Sequence, residues 1–450
     1  FGPLVDVLGM RLLLRFAFLC HFVGPLVMIL APGFEMLFVG ALIIALANGT
    51  IEAVCNPLVA TVYQDDKTHK LNQFHVWFPG GIVIGGLLAF GIDKLGAGFW
   101  EGMPLAAWQA KIALVLIPTI IYGILFTGQE FPLTERVQSG LSFGDMVRET
   151  VLRPLFIVLF ICMAVTASLE LGPNRWMGAV MTSAVAAAWE GLGDGAGILV
   201  LVYGSGLMAV LRFFAGPVVH KLSPTGLLVC SAVLSGVGLM ALTFAQGLFL
   251  IFVAATIFYL GVCYFWPTML GVASERVPKG GSLALALLGG WGMAVVGWVT
   301  VPVMGAITDH VGHSRLDVQQ TVACVRQGAE LLPAIRERLN ADPEGNEKAI
   351  KRIDEAIKLV AEVNAAGEDL SPGKTAKALR SIAVHAPESE AGKRVPGLMK
   401  PADDHGGLVS FRVVACLSIV IIVVFGILYG QDRARGGYKI EKIGREPGGA

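Results

Sequence analysis

The chain has 450 residues, of which 55% are hydrophobic and 15% are charged, and its formal net charge at pH 7 is zero. Soluble globular proteins carry about 25% charged residues, so this composition indicates a protein embedded in lipid. A zero net charge gives no reason to expect nucleic acid as a partner. The cysteines are scattered without a CxxC pair, which argues against structural disulfides and a metal site.

Ten segments are long and apolar enough to be transmembrane helices. They cover about 12–31, 36–61, 72–92, 108–127, 154–172, 196–219, 226–245, 248–272, 282–305 and 409–430. The opening stretch FGPLV looks like the tail of another helix, so we expect an upstream piece to be absent from this sequence. Lysine and arginine concentrate on alternate short loops and in the C-terminal tail, which places both in the cytoplasm by the positive-inside rule.

One connection, 309–408, is far longer than the others and falls on the outer side. Two of its stretches, QQTVACVRQGAELLPAIRERL and NEKAIKRIDEAIKLVAEV, have helical apolar spacing and predict a helical hairpin outside the bilayer. A third, HAPESEAGKRVPGLMKPADDHGG, is interpreted as a flexible linker. The hairpin is either a partner-binding cap or a tolerated insertion.

A polar stripe interrupts the second span, where Asn48, Glu52 and Asn56 recur every four residues and share one helix face. A charge at bilayer depth costs about 2.5–3.5 kcal/mol on insertion scales, so such a residue usually faces the bundle interior or a water-filled cavity. Glu52 is therefore expected to take up and release a proton, with a structural glutamate as the alternative. His75 lies within a turn of Asn72 and either shares this proton or is neutral and bonded to a carbonyl.

Further polar residues lie in the later spans. Glu170, with Asn174 four residues on, either contacts solute or pairs with Arg175. Arg212 is interpreted as snorkelling to the cytosolic interface. Aromatic residues of the second half pack in the core or against the C–H faces of a sugar. These residues are Tyr259, Trp266 and Trp291.

The sequence also contains an internal repeat. GPLVDVLGMRLLL begins at Gly2, and GPVVHKLSPTGLL begins 214 residues later at Gly216. Two weaker echoes have a similar offset: Asn56-Pro57 with Trp266-Pro267, and Gly80-Gly81 with Gly289-Gly290. Duplicated halves with a site between them are typical of secondary transporters.

The first copy of the repeat resembles the signature loop of the major facilitator superfamily, G-x-L-x-D-x-x-G-x-[RK]. The matching residues are Gly2, Leu4, Asp6, Gly9 and Arg11. The resemblance implies an all-α membrane protein of two six-helix bundles, here without helix one and most of helix two. It also implies that Asp6 latches the halves in the outward-open state, and Ser282 at the start of a later span is its expected partner. The alternative is a solvated turn carboxylate. His220 replaces the aspartate in the second copy, which predicts a weaker latch.

EAVCNP and KLNQFHVWFPGG resemble the fucose:proton symporter branch of this superfamily. Leu71, Asn72 and Gly81 match that branch, whereas His75 and Phe78 stand where it has a glutamine and an asparagine. The resemblance implies proton coupling through Glu52. The two departures fall on sugar-contacting positions and leave another small polar solute open.

The sequence therefore predicts a secondary transporter and not an enzyme, since it has no Walker loop, dinucleotide fingerprint or HExxH motif. We expect a proton-coupled symporter of a small polar solute, with a sugar favoured. An organic acid or a drug as solute, or a transport-inactive receptor or scaffold, is the alternative. The expected partners are solute, proton and lipid, without a cofactor, and the expected form is a monomer in the plasma or bacterial inner membrane.

The predicted site residues fall into three groups. Proton coupling is assigned to Glu52 and His75, and gating to Gly2, Asp6, Gly9 and Arg11. Solute binding is assigned to Asn48, Asn56, Asn72, Glu170, Asn174, Tyr259, Trp266 and Trp291. The predicted parts of the chain are a partial N-terminal bundle, a central cytoplasmic loop, a C-terminal bundle, the outer insertion, the last span and a tail. Their bounds are 1–127, 128–153, 154–308, 309–408, 409–430 and 431–450.

Overall fold

The structure is a computed structural model that describes residues 1–188, 197–340 and 343–443. Every regular element within these residues is a helix. Among the described residues, nine helices are long and apolar enough to cross a membrane, and a pair of helices bent by 66° makes ten if it is counted as one span. The all-α membrane fold predicted from the sequence is confirmed, and the bent pair corresponds to the predicted span at 196–219.

The first half contains eight helices: α1 (Gly2–Leu8), α2 (Met10–Ile29), α3 (Phe34–Val62), α4 (Lys67–Phe74), α5 (Trp77–Lys94), α6 (Ala97–Trp100), α7 (Ala107–Ala113) and α8 (Leu116–Phe126). Two short helices, α9 (Glu135–Gln138) and α10 (Phe143–Leu152), lie in the connection to the second half.

The second half contains α11 (Pro154–Ala188), α12 (Ile198–Phe213), α13 (Ala215–Leu222), α14 (Pro224–Leu242), α15 (Gly247–Val262), α16 (Phe265–Arg276), α17 (Gly281–Val295) and α18 (Val301–Gly312). A π-helical turn at Val296–Thr300 joins α17 to α18. The halves meet where α1 and α3 pack on α17, where α4 packs on α13 and α16, and where α5 packs on α12.

The long outer connection folds into α19 (Val318–Leu339), α20 (Pro343–Ala365) and α21 (Lys374–His385), and the chain returns through α22 (Glu390–Cys416) and α23 (Ser418–Ala434). Leu332, Ile353 and Leu379 form a core of their own within this insertion. On its surface, Lys348 pairs with Glu35 at the outer end of α3 at 2.6 Å. The helical hairpin expected here is present as α19 and α20.

The interpretation of the following stretch as a flexible linker was wrong. Residues 390–407 belong to α22, which runs without a break into the last span. Ser389 caps its start by accepting a hydrogen bond from the backbone N–H of Gly392, and Ala391 and Val395 are buried against the insertion core. Proline and glycine suggested a loop, but buried small residues on one face keep the segment helical.

The internal repeat is visible in the backbone. Gly9 ends α1 with φ 78° and ψ 155°, and Ser223, 214 residues later, has φ 61° and ψ 157° between α13 and α14. Left-handed φ is ordinary for glycine and uncommon for serine. The two copies therefore share a turn, although only the first has the residue type that this turn favours.

Glycine permits close helix packing in the second half. A Cβ atom at Gly261 of α15 would lie 2.2 Å from the backbone nitrogen of Ser235 in α14. Membrane helices associate through such small residues because packing, rather than the hydrophobic effect, holds them together.

We predict that Gly261→Ala lowers the free energy of unfolding by roughly 1–3 kcal/mol, because the methyl group forces α14 and α15 apart. Thermal unfolding in detergent measures the effect. Gly426→Ala is the matched control, because a Cβ there meets no atom within 4 Å. Equal melting temperatures for the two variants would contradict the prediction.

Candidate functional site

The polar stripe of α3 divides into two parts. Asn56 is 2% exposed and donates from Nδ2 to Oε2 of Glu52 at 2.7 Å. Asn48, one turn before Glu52, is exposed, and its Oδ1 lies 2.9 Å from Nε2 of His21 in α2. Glu52 and Asn56 therefore form one unit, and Asn48 belongs to a separate group.

His75 faces Glu52 from the break between α4 and α5. Its Nδ1 lies 2.9 Å from the carbonyl oxygen of Leu71. A carbonyl only accepts, so Nδ1 carries a hydrogen and the neutral ring has its free lone pair on Nε2. That Nε2 lies 3.6 Å from Oε1 of Glu52. The bond to a carbonyl that the sequence offered is therefore present, and the other alternative, that His75 shares a proton with Glu52, stays a prediction.

This arrangement has a direct chemical consequence. With Nδ1–H fixed by Leu71, a neutral His75 would turn a lone pair toward an ionised Glu52, and the two acceptors repel. One proton between Nε2 and Oε1 turns this repulsion into attraction, whichever group holds it. The pair is therefore suited to bind one proton and to respond to its loss.

Arg212 does not snorkel to the interface, and that interpretation was wrong. The residue is 1% exposed and its guanidinium has three partners inside the bundle. It donates to Oε1 of Glu170 at 2.8 Å, to the carbonyl of Cys263 at 2.6 Å and to the carbonyl of His75 at 3.1 Å. Since His75 belongs to the first half and Arg212 to the second, this side chain ties the halves together at depth.

Proline explains why two carbonyls are free to accept from Arg212. A helical carbonyl normally accepts from the N–H four residues later, and proline has none. Pro79 stands four residues after His75, and Pro267 stands four residues after Cys263. Both helices break at these points, and the guanidinium takes the place of the missing donors.

Glu170 pairs with Arg212, so the alternative of a pair with the exposed Arg175 was wrong. Its Oε2 also accepts from the backbone N–H of Trp266 at 3.3 Å. Asn174 donates to the carbonyl of Glu170 and accepts from the hydroxyl of Tyr259 at 2.8 Å. These side chains satisfy one another, and a role for them in contacting solute stays a prediction.

The two tryptophans assigned to solute lie in different surroundings. Trp266 is 8% exposed, and its ring lies beside Gly289 and Gly292 of α17. Trp291 stacks on Phe160, with ring centres 4.9 Å apart and planes 10° apart. Trp266 thus borders the Glu170 group, whereas Trp291 packs on an aromatic neighbour.

Among the described residues near the halves' contact, the buried polar atoms without a hydrogen-bond partner include Oδ1 of Asn56, Oδ1 of Asn72, Nε2 of His75 and Oγ1 of Thr68. Asn72 uses its amide nitrogen on the carbonyl of Thr68 and, at 3.2 Å, on the hydroxyl of Thr268 in α16. All four atoms can accept a hydrogen bond, and only the Thr68 hydroxyl can also donate one, so acceptors predominate among them.

The signature loop contacts the second half as expected. Asp6 accepts from the hydroxyl of Ser282 at 3.2 Å, from that of Thr134 at 2.6 Å and from Nε of Arg136 at 2.7 Å. A Cβ at Gly2 would lie 2.6 Å from that of Ala286, so glycine allows α1 to approach α17.

The other residues assigned to the gate lie to one side. Gly9 provides the turn described above, and Arg11 donates to the carbonyl of Gln129 at 2.7 Å in an exposed position. Asp6 is thus held by both a serine at a helix start and a basic side chain, and the solvated alternative was wrong.

Sequence reasoning missed one polar group in the first half. His21 of α2 lies 2.9 Å from the hydroxyl of Tyr122 in α8 as well as from Asn48. A histidine within the apolar run FLCHFVGP was a signal that could have found it.

We predict that Arg212→Met destabilises the protein by roughly 3–5 kcal/mol, because Glu170 is left as a buried charge without its partner. Thermal unfolding in detergent measures this. The double variant Arg212→Met with Glu170→Gln should recover part of the loss. A double variant no more stable than the single one would show that the charge of Glu170 is not the cause.

Residues 1–130 match the family described as "Sugar (and other) transporter". The major facilitator superfamily transporter FucP in its outward conformation shares 16% identity over 69% of this chain and 79% of its own, with a TM-score of 0.54. The proton:xylose symporter XylE bound to 6-bromo-6-deoxy-D-glucose shares 15% identity over 67% and 74%, with a TM-score of 0.50.

A bacterial homologue of the human lysosomal transporter Spinster, inward-facing and unoccupied, shares 14% identity over 95% of this chain and 86% of its own, with a TM-score of 0.56. No curated protein gives a significant match. These likenesses establish the fold, and the family match concerns transporters. The chain has the fold of these major facilitator superfamily structures, as the sequence predicts, and its first 130 residues match a transporter family.

Proposed function

We propose that this protein moves a small polar solute across a membrane by proton-coupled alternating access, and that the solute is a neutral sugar. The observation that carries the proposal is the Glu52–His75 pair near the contact of the two halves. Oε1 of Glu52 lies 3.6 Å from Nε2 of His75, and one shared proton removes the repulsion between these two acceptors. Loss of that proton would restore the repulsion between the two groups.

The pair is placed to couple this proton to movement of the halves. The backbone carbonyl of His75 accepts a hydrogen bond from Arg212, so a shift of the His75 backbone acts on a residue of the second half. Glu52 has a side chain that is 42% exposed, whereas that of His75 is 5% exposed. A proton can thus reach the carboxyl group, while the imidazole senses its charge from inside the bundle.

The unpaired acceptors support a hydroxyl-bearing solute. Asn56, Asn72 and His75 offer acceptor atoms without donors, and sugar hydroxyl groups are donors. The cations nearby are already neutralised, since Arg212 is paired with Glu170. A carboxylate solute would find no free charge at this point. The family match to sugar transporters and the likeness to XylE, whose structure holds a hexose derivative, favour the same class.

Contacts at the cytoplasmic end keep this site closed on that side. Besides the Asp6 group, Lys67 of α4 pairs with Glu135 at 2.6 Å and donates to the carbonyl of Ser274 in α16. The backbone N–H of Thr68 donates to Glu275 at 2.9 Å. Release of solute to the cytoplasm would require these contacts to break, in line with a latch made by Asp6.

We predict that Glu52→Gln abolishes accumulation of solute driven by a pH gradient in proteoliposomes, because the amide cannot carry the proton. Exchange of labelled for unlabelled solute should survive, since it needs no net proton movement. Glu35→Gln is the matched control on the same helix, because Glu35 lies at the exposed outer end and pairs with Lys348.

Two outcomes would remove Glu52 from the coupling role. One is unchanged accumulation in Glu52→Gln under the same pH gradient. The other is an equal loss of exchange and accumulation, which would assign Glu52 to solute binding instead. Accumulation lost equally in Glu35→Gln would point to a general loss of folded protein.

We predict that a neutral sugar raises the melting temperature of the detergent-solubilised protein, whereas organic acids of similar size do not. A ligand at one hundred times its Kd stabilises by about 2.7 kcal/mol, which is measurable in a thermal-shift screen. Asn72→Ala should remove the shift, and Asn364→Ala in the exposed part of α20 should retain it. Stabilisation by acids alone would replace the sugar with an anionic solute.

A further inference from the structure

Three side chains that bind metal ions well meet at the cytoplasmic end of the molecule. Asp66 lies just before α4, and one of its carboxylate oxygens lies 2.7 Å from Nδ1 of His69. Its other oxygen lies 3.0 Å from Nε2 of His220 in α13. The three potential ligand atoms all lie within 4.8 Å of one another. We call these residues the Asp66 cluster.

The Asp66 cluster joins the two halves of the protein. Asp66 and His69 belong to the first half, and His220 belongs to the second. A Cβ at Gly216 would lie 2.9 Å from Nε2 of His69, so glycine lets α13 approach the ring this closely. Gly2 does the same for α1 and α17 in the first copy of the repeat.

The cluster is therefore the repeat-related counterpart of the Asp6 group. His220 occupies the place of Asp6 in the second copy, 214 residues later. The first copy sets an aspartate on the loop against a helix start with a serine, and the second sets a histidine on the loop against a helix start with an aspartate. The sequence predicted only a weaker latch here, because it could not place Asp66 opposite His220.

The chemistry of the cluster favours a transition metal over a simple ion pair. Two imidazoles and one carboxylate suit Zn²⁺ and related divalent ions, with water completing the shell. Two nearby lysines are engaged elsewhere: Lys67 with Glu135 and Lys442 with Asp65. Each carboxylate oxygen of Asp66 faces one imidazole nitrogen, so the three side chains converge on one point.

We propose that the Asp66 cluster binds a divalent transition-metal ion, such as Zn²⁺, from the cytoplasmic side and clamps the two halves together there. The ion holds Asp66 and His69 of one half and His220 of the other, so it binds best when the cytoplasmic side is closed. A ligand with this preference shifts the population toward that arrangement and slows its opening. The proposal is independent of the identity of the solute and of proton coupling through Glu52.

The test is the binding of Zn²⁺ to the purified protein without a histidine tag, measured by calorimetry and by thermal shift. We expect one saturable ion that raises the melting temperature, while Mg²⁺ at the same concentration has no effect because it prefers oxygen ligands. Lowering the pH to about 5.5 should weaken binding, because the metal competes with protons for the imidazoles.

Single substitutions distinguish an ion that bridges the two halves from an ion bound within one half. His220→Ala and His69→Ala should each weaken Zn²⁺ binding roughly tenfold or more, since each removes one of three ligands. His310→Ala, an exposed histidine of α18, should bind as the unaltered protein does. His220 has an exposed side chain, so its replacement leaves the fold intact.

Two results would overturn the proposal. Zn²⁺ binding unchanged by His220→Ala would mean that the ion does not bridge the halves, even if Asp66 and His69 bind it. Absence of saturable Zn²⁺ binding in the unaltered protein would remove the site altogether. Neither result would bear on uptake by the protein, so failure here is distinguishable from failure of the proposed transport function.

Discussion

A buried guanidinium needs a counter-charge and a hydrogen-bond partner for each of its nitrogens, and this requirement organises the centre of the molecule. Arg212 meets it with one carboxylate and two backbone carbonyls taken from three other segments of the chain. In a low-dielectric interior, each missing partner would cost several kcal/mol, so these segments are held in register by one side chain. The break before Pro79, which Arg212 stabilises, is also what aims His75 at Glu52.

Much of the fold could be predicted from the sequence, because the length of the apolar segments and the repeated motif can both be recognised without knowing any contact. Glu52, Asn56 and His75 could also be selected from the sequence, because a polar residue at bilayer depth costs free energy and usually faces the interior of the bundle. The Arg212–Glu170 pair was not found, because their partnership joins positions 42 residues apart across two helices. A usable signal did exist: Pro79 and Pro267 each leave a carbonyl unpaired, and a buried arginine is a suitable donor.

The Asp6 group and the Asp66 cluster share one backbone geometry although their side chains differ. Gly9 and Ser223 keep one backbone turn, and Gly2 and Gly216 keep one close approach. The carboxylate, however, lies on the loop in the Asp6 group and at the helix start in the Asp66 cluster. A comparison of one motif copy at a time does not reveal this difference.

The course of α22 links the insertion to the second half. The helix begins at Glu390, at the edge of the insertion core, and ends at Cys416, within the predicted last span. Ala391 and Val395 are buried in the insertion core, whereas Phe411 and Val414 are buried in the core of the second half. One helix therefore belongs to both cores, so a displacement of the insertion is passed along the chain to the packing of the second half.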